Sequence, residues 1–64
     1  MAYQRLTAQP ESGDRVWVSR DGVNFYSGRF VRVSNNGRRY KIVMAVDNLE
    51  RAIEPILVYK KVKT

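Results

Sequence analysis

Phe25-Tyr26-Ser27-Gly28-Arg29-Phe30-Val31-Arg32-Val33, then Ser34-Asn35-Asn36-Gly37, then Arg38-Arg39-Tyr40-Lys41-Ile42-Val43-Met44-Ala45-Val46 reads as two strands joined by a tight hairpin. Aromatic and β-branched residues suit the pleated, half-buried surface of a strand. Asn-Gly supplies the left-handed backbone that a short hairpin turn demands. The second strand alternates well, with Tyr40, Ile42, Met44 and Val46 on one face and Arg39, Lys41, Val43 and Ala45 on the other. The first does not. Phe25, Ser27, Arg29, Val31 and Val33 form one set and Tyr26, Gly28, Phe30 and Arg32 the other, and both are mixed. A long strand that bends at Gly28 and serves two sheets carries such a pattern.

Working outward, Arg15-Val16-Trp17-Val18-Ser19 is a β-branched and aromatic run, and Asp21-Gly22 is the turn that returns it to the hairpin. Beyond the hairpin, Asp47-Asn48 turns the chain and Leu49–Ile53 alternates as a short strand. A helix over Asp47–Ile53 is the other reading of that segment, but it is too short to stand alone. Pro55 interrupts, with a single 3₁₀ turn as its natural setting, and Ile56-Leu57-Val58-Tyr59 forms a last strand. Five short strands separated by turns predict an all-β fold, a small five-stranded barrel over residues 13–59. Residues 1–12 lack a periodic apolar pattern and are expected to be a loosely ordered arm, and residues 60–64 a basic tail.

Composition narrows the function classes. The chain has 64 residues and no cysteine or histidine. Disulfides, thiolate metal sites and most zinc geometries are therefore excluded, and with them the commonest general base. Ser12, Ser19, Ser27 and Ser34 have no histidine to activate them, and Asp14, Asp21, Asp47, Glu50 and Glu54 are scattered over turns and one strand. A non-enzymatic protein with no cofactor and no metal is the expectation. Twelve Lys and Arg against six Asp and Glu give a formal charge of +6, which favours polyanionic partners. No apolar stretch is long enough for a membrane span. The start Met1-Ala2-Tyr3-Gln4-Arg5-Leu6 lacks the apolar run of a signal peptide, so a cytoplasmic or nuclear setting is expected.

Val16-Trp17-Val18, Asp21-Gly22, Phe25-Tyr26-Ser27-Gly28-Arg29, Tyr40-Lys41-Ile42 and Asp47 together resemble a Tudor domain, an SH3-like barrel. The resemblance covers roughly residues 13–59, and Phe25–Arg29 is its most specific piece. It implies a five-stranded SH3-like (Tudor-like) barrel. Many Tudor domains read methylated lysine or arginine in an aromatic cage. Tyr26 stands where one cage aromatic is expected and Asp47 where an acid is. The remaining cage positions fall on Val18 or Ser19 and on Met44. The resemblance thus carries the fold over and leaves the cage behind.

The candidate site is the hairpin itself. Arg29, Arg32, Arg38, Arg39 and Lys41 all lie on it, and no acidic residue interrupts the sequence from Val23 to Val46. Guanidinium forks match phosphate oxygens, and each phosphate neutralised releases counterions. Tyr26 and Tyr40 are the aromatics expected beside these charges as stacking surfaces for bases, while Phe30 and Trp17 are expected in the core. A solvated hairpin tip, charged only to keep an edge soluble, is the plainer explanation of the same residues. Two functions remain open. One is a nucleic-acid-binding barrel gripping DNA or RNA by its phosphates. The other is a protein-interaction module docking an acidic protein partner, with Tyr26, Met44 and Trp17 in the contact. Pairing of exposed edges into a homodimer stays open as well.

Overall fold

Val16 and Val18 face inward with Phe30, Ile42, Met44 and Val58, and these six side chains form the buried core. The strands that deliver them were assigned in a computed structural model describing residues 2–62. They are β1 (Ala2–Arg5), β2 (Arg15–Val18), β3 (Tyr26–Ser34), β4 (Arg39–Met44), β5 (Glu50–Ile53) and β6 (Val58–Val62). Short 3₁₀ turns occupy Asn35–Gly37 and Pro55–Leu57. All pairings are antiparallel, in one sheet of order β1-β6-β2-β3-β4-β5. Leu6, Val33, Tyr40, Ile53 and Leu57 pack around the core from the rim.

The protein is all-β, as its sequence predicts, but the strand count and the closure differ. Six strands form, not five, and β1 and β5 lie at the two ends of the sheet without pairing to each other. The extra strand comes from the expected arm. Ala2–Arg5 pairs with β6 along its length, Tyr3 opposite Lys61 and Arg5 opposite Tyr59. Two aromatic contacts explain why so polar a segment docks. Tyr3 stacks on Phe25 with ring centroids 3.9 Å apart, and it meets Trp17 at 6.0 Å. Lys60, Lys61 and Val62, expected in a basic tail, belong to β6; Lys63 and Thr64 lie outside the described residues.

Local chemistry explains the turns. Asn36 (φ 55°) and Gly37 (φ 88°) take the left-handed backbone that turns β3 into β4. Between β2 and β3, the buried Ser19 hydroxyl accepts from the Gly22 N–H at 2.8 Å. Asp21 accepts from the N–H groups of Val23 and Asn24 at 2.8 and 2.9 Å. The hydroxyl and carboxylate are thereby fully accounted for as loop fasteners.

Gly28 has a different task. A Cβ there would lie 2.7 Å from Ile42 Cγ2 and 2.9 Å from the Val43 carbonyl oxygen. Glycine is what lets β4 close onto β3 at this rung.

The mixed alternation of β3 has its cause at Val31. The β3–β4 register shifts between Phe30 and Arg32, a bulge that inserts one residue. Before it, Gly28 and Phe30 face inward and Arg29 outward; after it, Arg32 pairs with Lys41 and Val33 with Tyr40. The extra residue moves Arg32 from the face of Phe30 to the face of Arg29. Pattern failure at this strand is therefore a change of register at Val31 as well as a close approach at Gly28.

Candidate nucleic-acid interface

Outward-facing positions follow from the registers. In β2 the core takes Val16 and Val18, which turns Arg15 and Trp17 to the other side. In β4 it takes Ile42 and Met44, which turns Arg39, Lys41 and Val43 out. Arg15 is directly opposite Arg29, and Arg32 is directly opposite Lys41. One face of β2, β3 and β4 thus holds two rungs on which a cation meets a cation. Four of those expected site residues, Arg29, Arg32, Arg39 and Lys41, are brought onto this face. Arg38 is exposed in the turn between the Asn35–Gly37 turn and β4, where its carbonyl accepts from Arg39 Nη1 at 3.2 Å.

The two tyrosines go elsewhere. Tyr40 points inward, packs against the core and meets Phe30 edge-on at 5.2 Å between centroids. Its ring is a wall of the interior, so it offers no stacking surface beside the arginines. Tyr26 is exposed, but it lies two residues before Gly28 and on that glycine's side of β3, opposite to Ser27 and Arg29. It borders a small hollow of about 280 Å³ with Val18, Arg20, Asp21 and Asn24. The tyrosine pair read from the sequence is thus split from the basic face by the thickness of the sheet.

Acids absent from the hairpin sequence arrive through β5. Arg32 Nη1 lies 3.2 Å from Glu50 Oε1, and Arg39 Nη2 lies 3.9 Å from Glu54 Oε1. Both pairs are solvent-exposed, where such contacts contribute about 0–1 kcal/mol. Their consequence is electrostatic: two of the five expected cations already have a counter-charge. A third pair, Arg51 with Asp47, ties the β4–β5 turn, and Asp47 also accepts from the Leu49 N–H at 3.0 Å. Hydrogen bonding from Arg51, then from that N–H, holds the Asp47 carboxyl below the usual carboxylate range. Asp21 is held well below it too, first by the Asn24 N–H and then by the Val23 N–H.

Other residues complete the outward face. Trp17, expected in the core, is half-buried on the outside, next to Tyr59 across the β2–β6 pair. Phe25 meets Tyr59 edge-on at 5.1 Å between centroids. Lys61 Nζ sits 5.7 Å from the Trp17 centroid and 6.0 Å from that of Tyr3, while Arg5 sits 5.8 Å from Tyr59. Arg15 was missed in the sequence because it lies outside the hairpin. The signal was present in the alternation of Arg15-Val16-Trp17-Val18, whose valines claim the core. Among the described residues, no group of three or more acidic side chains is placed to hold a metal ion, and no helix is long and apolar enough to cross a membrane.

The chain matches no family profile, and neither a curated protein nor a solved structure is significantly similar to it.

Proposed function

We propose that this chain is a non-catalytic nucleic-acid-binding domain that grips backbone phosphates with the outward face of β2, β3 and β4. The observation that carries the reading is the pair of cation-on-cation rungs, Arg15 with Arg29 and Arg32 with Lys41. A free protein is better served by opposite charges across a rung. A polyanion lying over this face answers the charges of Arg15, Arg29 and Lys41, which no ion pair among the described residues meets, and releases counterions as it does so. The overall charge of +6 adds long-range attraction.

Several features support an SH3-like (Tudor-like) assignment of the β2–β6 part. The strand order β6-β2-β3-β4-β5, the bulged β3 and the 3₁₀ turn at Pro55–Leu57 favour the small barrel that the sequence resembles, although the sheet is not closed. Methyl-mark reading gains no support. Tyr26 is the one exposed aromatic at a cage position, and Met44 is buried.

The test is fluorescence anisotropy of labelled single- and double-stranded DNA and RNA, titrated at several salt concentrations. Binding that weakens steeply with salt and prefers one of the four ligands is the expected result. Weak, indifferent binding to all four defeats the reading.

A protein-docking role is favoured by a separate observation. β5 ends the sheet with an unpaired edge, and the exposed Val46 and Leu49 lie in the turn before it. Strand addition at such an edge is a common mode of peptide capture. Nuclease-resistant recovery of one acidic protein in a pull-down is the result that would move the function there.

A further inference from the structure

Arg15 and Arg29 face each other across the β2–β3 ladder. Three other arginines on or beside β3–β5 have an acid. Arg32 has Glu50, Arg39 has Glu54 and Arg51 has Asp47. Among the described residues, no carboxylate lies within ion-pair distance of Arg15 or Arg29. Directly opposed like charges repel, so this rung weakens the free protein unless something outside it answers the charge.

The same two residues line one open groove of about 520 Å³. Ser12, Ser27 and Asn48 also border it, while the side chains of Glu50 and Glu54 do not. Hydroxyl and amide groups are donors suited to oxygen anions. Ser27 and Ala45 are small, which keeps the groove uncrowded beside Arg29. Two arginines, neighbouring hydroxyl and amide groups and no acid among the lining residues suit a tetrahedral oxyanion.

We propose that this groove seats a phosphate group held jointly by Arg15 and Arg29. In the nucleic-acid reading above, on which the biological ligand rests, the group is one backbone phosphate and the groove anchors the strand. Arg32 and Arg39 then guide neighbouring phosphates with charges partly answered by Glu50 and Glu54. The anchor lies away from the hairpin tip, one strand nearer the middle of the sheet.

Two measurements on wild type and the double variant R15Q/R29Q decide this. The first is anisotropy against the four labelled nucleic acids at several salt concentrations. The double variant binds about tenfold more weakly, in keeping with loss of charge-assisted hydrogen bonds. Its salt slope is shallower by one phosphate's worth, about 0.9 for duplex DNA or about 0.7 for a single strand. R32Q, whose charge Glu50 already answers, shows the smaller loss. If wild type binds and R15Q/R29Q matches it in affinity and slope, the seat is wrong and the nucleic-acid reading stands.

The second measurement is thermal melting in inorganic phosphate against chloride of matched ionic strength. Phosphate raises the melting temperature of wild type and leaves R15Q/R29Q unmoved. In chloride the double variant melts no lower than wild type, since it has lost a repulsion, which confirms that it folds. Should wild type bind none of the four nucleic acids, the reading above fails, and a phosphate response confined to wild type still supports the seat. An equal response of both proteins overturns the seat. So does a glutamate-rich peptide that raises the wild-type melting temperature where phosphate does not.

Discussion

The two ends of the sheet expose the same outward face to water and solve that problem in opposite ways. Over β1, β6 and β2 the face is aromatic: Trp17 touches Tyr3, Tyr3 touches Phe25 from the loop before β3, and Phe25 touches Tyr59, with Lys61 and Arg5 over the rings of Trp17 and Tyr59. On β3, β4 and β5 it is ionic, with Arg32 reaching across β4 to Glu50 and Arg39 paired to Glu54. The aromatic end gains from area removed from water and from packing. The ionic end gains little, since exposed pairs are screened and mobile. A basic surface on so small a domain is thus carried by stability built elsewhere, and the seam between the two regimes is the Arg15–Arg29 rung.

Gly28 belongs to both ends, because β3 pairs with β2 on one side and β4 on the other. Gly28→Ala is expected to cost about 3 kcal/mol, the upper end for overpacking, because a backbone oxygen cannot easily give way. Chemical denaturation checks it. A cost near zero would mean that the two ends tolerate a wider β3–β4 gap.

Trp17→Ala removes the largest ring of the aromatic end. A loss of about 2 kcal/mol is expected, less than for a fully buried tryptophan because the residue is only partly buried. That loss should persist at high salt. Arg32→Gln at the ionic end is expected to cost less than about 1 kcal/mol, and that cost should vanish as salt rises. Equal salt dependence in the two variants would erase the distinction between the ends.

The smallest effect concerns acid. The folded Asp21 carboxyl titrates below its unfolded value, so its contribution is present above the unfolded pKa, about 4, and is lost as pH falls through the folded one. Asp47 acts in the same direction, chiefly through Arg51. Melting temperature should therefore fall on acidification, and Asp21→Asn should flatten that fall. An unchanged acid limb in Asp21→Asn would show that the β2–β3 loop contributes nothing measurable to either end.

Sequence reading succeeded where one residue's side could be deduced from its neighbours. Ile42 and Met44 alternate without interruption and face the core, and Tyr40, expected outside beside the arginines, follows the same alternation inward. The five strands between Arg15 and Val62 were legible from β-branched and aromatic runs bounded by turn residues, although the last begins at Val58, after the 3₁₀ turn, and not at Ile56. It failed where sidedness depends on pairing. Arg32 needs the bulge at Val31 before it joins Arg29, and only register reveals a bulge. Glu50 and Glu54 lie far along the chain from Arg32 and Arg39, so the partial neutralisation of the basic face depended on β5 pairing with β4. β1 escaped notice because its docking rests on Tyr3 meeting Phe25, a contact that no local periodicity announces.

The β1–β6 ladder has one more consequence. Ala2 stands directly opposite Val62, so the first and last described strands begin and end side by side. A polypeptide entering and leaving at neighbouring points needs almost no linker to bridge them. This domain can therefore be spliced into a surface loop of an unrelated host, as a cassette, with the host's own chain direction and spacing left nearly undisturbed.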